Sequence, residues 1–123
     1  MQLDHIGINV RDLDQTLAFY CDWFGFEVFQ RWEQPRQAFL SKNDLILGVM
    51  ENPDYDFSRY TLAHLAFAVS HDEFQAWVSK IELAGLSIVS GPKPQRDGET
   101  ILFSDPSGNI LEVCYPALHK ESI

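Results

Sequence analysis

Two hydrophobic rhythms alternate along the chain, and the alternation occurs twice. DHIGINV sets Ile6, Ile8 and Val10 against His5, Gly7 and Asn9, the period-two pattern of a half-buried strand. RDLDQTLAFYCDWFGF then places Leu13, Leu17, Tyr20 and Phe24 at helical spacing, with Asp12 as N-cap and Gly25 as stop. FEVFQRW, RQAFLSK and DLILGVM read as three strands with turns at Gln34-Pro35 and Lys42-Asn43-Asp44. The succession recurs in the second half. AHLAFAV opens it, and SHDEFQAWVSKIELAGL carries an apolar stripe of Phe74, Trp77, Val78 and Ile81 that Gly85 closes. LSIVSGPK, ETILFSD and NILEVCY follow as strands, with turns at Arg96-Asp97-Gly98 and Pro106-Ser107-Gly108.

Each half is therefore a βαβββ module. The first covers about residues 1–51, the linker 52–61 is rich in turn formers, and the second covers 62–115, in an expected single domain of 123 residues. The fold class this predicts is α+β. A lone module has its helix on one sheet face and leaves the other bare, so two modules are expected to form a cupped, partly closed mixed sheet with the helices outside. Alternation turns Ile6, Ile8 and Val10 toward the first helix, and leaves His5, Gly7 and Asn9 on the inner face. His64, Ala66 and Ala68 oppose Leu65, Phe67 and Val69 in the same way. Both histidines thus share a face with small residues.

Composition narrows the partners. Apolar content of 46% and aromatic content of 13% fit a globular protein. A net charge of −9, with Lys and Arg scattered singly, argues against nucleic acid. The longest apolar run, LILGVM, is too short to span a bilayer, and Asp4, Arg11, Asp12 and Asp14 interrupt any early apolar leader. Cys21 and Cys114 show no metal or disulfide spacing. A cytoplasmic protein free of membrane is expected.

The last strand adds a third polar residue. In GNILEVCYP, Leu111 and Val113 share one face and Glu112 takes the other. Two imidazoles and one carboxylate suit a divalent transition metal (Zn, Mn, Ni, Co or Fe) and leave coordination positions for substrate. On residue logic alone, His5 and His64 satisfied by backbone carbonyls and Glu112 paired with an Arg stand as alternatives. Thr100 alternates with Ile101 and shares the face of Leu102. With Arg96, Trp32 and Tyr60 it is a candidate for lining a substrate pocket. Phe39 is read mainly as core, Asp97 as a turn residue, and His71 and His119 as solvent-facing.

At these positions the sequence resembles the vicinal oxygen chelate superfamily, which includes glyoxalase I, bleomycin-resistance proteins, extradiol dioxygenases and fosfomycin-modifying enzymes. The resemblance runs from LDHIGINVRDLDQTLAFYCDWFGFEV to LFSDPSGNILEV, and the DPSGN hairpin is its most specific part. It implies a metal held by first- and last-strand residues, at His5, His64 and Glu112, and a homodimer in which a site is built within one chain or shared between two. Gly48 aligns with Glu112 between the halves and stands where glyoxalase I enzymes carry a ligand. Leu102 replaces a tyrosine of the fosfomycin thiol transferases, which also have a basic tail where this chain ends HKESI. The function expected is a metal-dependent enzyme that chelates a small oxygenated substrate and stabilises an oxyanion or enolate, of lyase, isomerase or thiol-transferase type. Its alternatives are an Fe(II) ring-cleaving dioxygenase and a metal-free drug-sequestering protein.

Overall fold

The computed structural model describes residues 1–58 and 63–119. The first module runs β1 (Ile6–Val10), α1 (Leu13–Phe24), β2 (Glu27–Glu33), β3 (Arg36–Lys42) and β4 (Leu45–Glu51). The second runs β5 (His64–Ala68), α2 (His71–Leu83), β6 (Ile88–Gln95), β7 (Gly98–Ser104) and β8 (Ile110–Tyr115). Their sheets have the corresponding orders β1-β4-β3-β2 and β5-β8-β7-β6. In each, the first strand pairs in parallel with the last, and the other neighbours are antiparallel. The α+β class and the two βαβββ modules expected from the hydrophobic pattern are what the chain forms. The helix supplies the crossover that a parallel pair requires.

Local chemistry fixes the helix ends. Asp12 accepts from the Gln15 N–H and Gly25 ends α1 at φ 73°, in the left-handed region that glycine enters without strain. Ser70 and Glu73 form a capping box at the start of α2. The α2 stop is refined slightly: Ala84 is the cap, and Gly85 follows it at φ 69°.

The chain divides into two compact units, one built on the first module together with Pro106–Asn109 and the other on the second module. In the first unit Val10, Leu13, Tyr20, Leu40, Leu47 and Val49 are fully buried between α1 and its sheet. In the second, Phe74, Val78, Ile81, Ile101, Phe103, Leu111 and Val113 do the same with α2. Burial of this kind is worth about 1.5–3 kcal/mol per large side chain, and in the second sheet the opposite face carries His64, Thr100 and Glu112. Among the described residues no helix is long and apolar enough to cross a membrane.

Candidate metal centre

Register decides which side chains meet on the inner face of the second sheet. Ala66 and Leu102 lie beside Glu112, while His64 pairs with Ile110 and Thr100 with Cys114. His64 and Thr100 are thus diagonal neighbours of Glu112 on one face, within reach of a long side chain. His64 Nε2 lies 3.0 Å from Glu112 Oε1, and the Thr100 hydroxyl donates to Glu112 Oε2 at 2.5 Å. Arg96 Nη2 stands 4.0 Å from the same Oε2. Glu112 is only 5% exposed, and a carboxylate so buried is costly unless hydrogen-bonded or paired. Here both oxygens have partners.

Cys114, two residues on, is also buried. Burial pushes its thiol pKa up, the Glu112 charge adds to the rise, and Arg96 opposes it. The thiol is therefore a poor nucleophile at neutral pH.

In the first unit the His5 ring lies edge-on to Phe39, with centroids 5.2 Å apart. Its Nδ1 is 2.7 Å from Asp4 Oδ2. A carboxylate that accepts Nδ1–H fixes the tautomer and presents the Nε2 lone pair, the usual way an imidazole is readied for a metal. Asp4 was not foreseen, although its place next to His5 in the sequence was a usable signal. Gly48 occupies the register position in the first sheet that Glu112 holds in the second. A Cβ there would lie 2.9 Å from Phe39 Cε1 and 3.5 Å from His5 Cδ2. A side chain at position 48 would therefore run into the Phe39 ring.

The remaining candidates fall as follows. Trp32 is 42% exposed and edge-on to Phe39, with centroids 5.8 Å apart. Tyr60 lies outside the described residues. Asp97 is an exposed turn residue, and His119 is exposed. His71 begins α2 in solvent, with Nδ1 3.1 Å from Asp72. The structure brings His64, Thr100, Arg96 and Glu112 together, and places His5 with Trp32 and Phe39 in the first unit. Among the described residues, no three His, Cys, Asp or Glu side chains form a metal-binding group within one chain.

The DPSGN phrase has a mechanical role that sequence reading missed. Ser107 Oγ accepts from the Arg11 N–H at 2.8 Å, and Asn109 Nδ2 donates to the Asn9 carbonyl at 2.9 Å. The loop fastens the end of β1.

A metal fits the donors present. His64 Nε2 and Glu112 Oε1 converge at hydrogen-bond distance on one face of the second sheet, so both donors would be available to one ion. Neutral imidazole and carboxylate are the donors that divalent first-row ions accept.

Duplicated βαβββ modules with an imidazole and a carboxylate paired on the sheet face away from the helix define a class of chelating scaffold. The chain belongs to the Glyoxalase/Bleomycin resistance protein/Dioxygenase superfamily, whose profile matches residues 2–113. It is 30% identical over 115 residues to metallothiol transferase FosB of Lysinibacillus sphaericus (strain C3-41), covering 89% of this chain and 79% of that one. It is 31% identical to glutathione transferase FosA of Serratia marcescens, covering 90% and 78%. The crystal structure of the fosfomycin resistance protein FosX from Listeria monocytogenes, complexed with Mn(II) and sulfate, superposes with a TM-score of 0.81. That likeness covers 95% of this chain and 91% of FosX at 24% identity.

Proposed function

We propose that the chain is a divalent-metal-dependent enzyme of thiol-transferase type, acting on a small oxygenated molecule, with His5, His64 and Glu112 as the protein ligands. The observation that carries this reading is the His64–Glu112 pair, 3.0 Å apart on a buried, hydrogen-bonded carboxylate. Its relatives, a metallothiol transferase and a glutathione transferase, support the reaction type. The protein acts as a single-domain homodimer in the cytoplasm.

A divalent ion bound there supplies Lewis acidity toward adjacent substrate oxygens. Everything else is the chain's own work. Thr100 holds Glu112 Oε2, which keeps Oε1 directed at His64. Asp4 holds His5 Nδ1 and fixes that ring. Arg96 places a guanidinium near the carboxylate, where it attracts an anionic substrate group and stabilises charge that develops on oxygen. With Gly48 covered by Phe39, the protein offers three donors and leaves the other positions for substrate.

The test is metal loading followed by elemental analysis, with Mn(II) tried first because FosX was crystallised with it. About one ion per chain is expected, with affinity reduced at least about tenfold in His5→Ala, His64→Ala and Glu112→Ala. Thiol consumption with fosfomycin as the trial electrophile, and glutathione or cysteine as donor, is expected to require the ion. Unchanged metal content in both His64→Ala and Glu112→Ala overturns the assignment.

A further inference from the structure

Among the described residues, the contacts that fasten β1 beyond its ladder with β4 gather at its C-terminal end. Val10 is fully buried there, and its carbonyl accepts from the Asn52 N–H at 2.8 Å, just past β4. Successive residues of a strand point their N–H and C=O to alternate sides, so the Asn9 carbonyl and the Arg11 N–H face the opposite, outer edge. The Pro106–Asn109 turn, which belongs to the same compact unit, meets both. Asn109 Nδ2 donates to the Asn9 carbonyl at 2.9 Å, and Ser107 Oγ accepts from the Arg11 N–H at 2.8 Å. The turn does with side chains what a neighbouring strand would do with its backbone. The Arg11 guanidinium also lies 4.5 Å from the centroid of the Phe57 ring.

The other end of the strand has less to hold it. Residues 1–5 and Gly7 are exposed, while Ile6 and Ile8 are half-buried. Gly7 pairs directly with Gly48, so neither strand contributes a side chain at that step of the ladder. The His5 ring meets Phe39 edge-on. Its carboxylate partner Asp4 is the adjacent residue, which orients the ring without tying it to the sheet. We infer that β1 is a hinged arm. The Pro106–Asn109 turn clamps its C-terminal end, and the His5 end opens and closes against the first sheet as the divalent ion is taken up and released. The ion's part in this rests on the function proposed above, in which His5 is a ligand. Local opening of this kind belongs to segments with few buried apolar contacts, and an ion that binds only the closed arm shifts the balance toward closure.

Amide exchange on the full chain, read by mass spectrometry at single residues, tests the arm. In metal-free protein Ile6 is expected to be at least about tenfold less protected than Val10. In Ser107→Ala and in Asn109→Ala, Val10 is expected to lose about tenfold of its protection while Val78 and Ile81 in α2 keep theirs. Mn(II) at about ten times its dissociation constant is expected to slow Ile6 about tenfold in the wild type and not in His5→Ala. Equal protection of Ile6 and Val10 without metal overturns the hinge. So does an unchanged Val10 in both turn variants, or a loss that α2 shares equally. A bound ion, shown by elemental analysis, that leaves Ile6 unaltered overturns the arm's part in metal uptake. If no ion binds, the function proposed above fails and the ion's part fails with it, while the metal-free gradient and the Val10 response still decide the hinge.

Discussion

Glu112 illustrates how much one residue depends on its cross-strand neighbours. The alternation of ILEVC turned it away from the core in the sequence, and the structure puts Leu111 and Val113 in that core as expected. What alternation does not state is the register of β7 against β8. That register sets Thr100 diagonal to Glu112 and supplies the donor for Oε2. Replacing Thr100 with Val keeps the shape but removes the hydroxyl, leaving one oxygen of a buried carboxylate without its strongest partner. Metal affinity is expected to fall about 10–100-fold in Thr100→Val and to recover in Thr100→Ser, measured by competition with a fluorescent chelator. Equal affinities in wild type and Thr100→Val would show that Glu112 orients itself. Asp4 differs from Thr100 in being adjacent to the residue it holds, so its role was open to reading from the sequence.

At the scale of elements, the helices were legible because their signals are local. Asp12, Gly25 and Ser70 act within a few residues of the helix ends they cap. Bulges were not legible, since one extra residue leaves no mark on composition. Strict alternation from Trp32 assigns Phe29 to the helix side of β2, yet the register shift between Val28 and Gln30 brings Phe29 near Phe39. Ion pairs between α1 and β2–β3 were equally hidden. Arg31 and Arg36 reach Asp14 at 2.8 and 3.1 Å, and Arg36 also holds Glu51, whose Oε2 accepts from the Leu13 N–H. Hydrogen bonds from Arg31 and then Arg36 hold the Asp14 carboxyl below its ordinary pKa. A carboxyl depressed in the folded state stabilises the fold above its unfolded pKa and loses that contribution as pH falls through its folded value. Asp14→Asn is therefore expected to lower the thermal midpoint modestly at pH 7, and the difference from wild type should vanish in acid below the folded value. Exposure of the pair keeps the effect small. A difference that stays constant with pH would assign it to packing or to the helix dipole instead.

At the scale of the whole molecule, the repeat was the most informative feature in the sequence, because it implied two equivalent sheets before any strand pairing was known. It also distributes the proposed donors unequally, with His5 in the first module and His64 and Glu112 in the second. The proposed homodimer has two ways to complete a site, within a chain or between chains, and mixing two defective chains separates them. Consider a dimer of one His5→Ala chain and one Glu112→Ala chain. If each site lies within a chain, both sites lack a ligand and no ion binds tightly. If sites are shared, one site loses both residues and the other keeps all three. The superfamily resemblance, in which strands that share a metal come from different chains in several members, leads to the second expectation: about one tightly bound ion per mixed dimer, against none in either parent. Differently tagged chains, refolded together and purified through both tags, make the measurement direct. An ion in the mixed dimer and none in the parents requires donors from two chains to meet. Its absence, with metal binding normal in a wild-type dimer prepared the same way, confines the site to one chain.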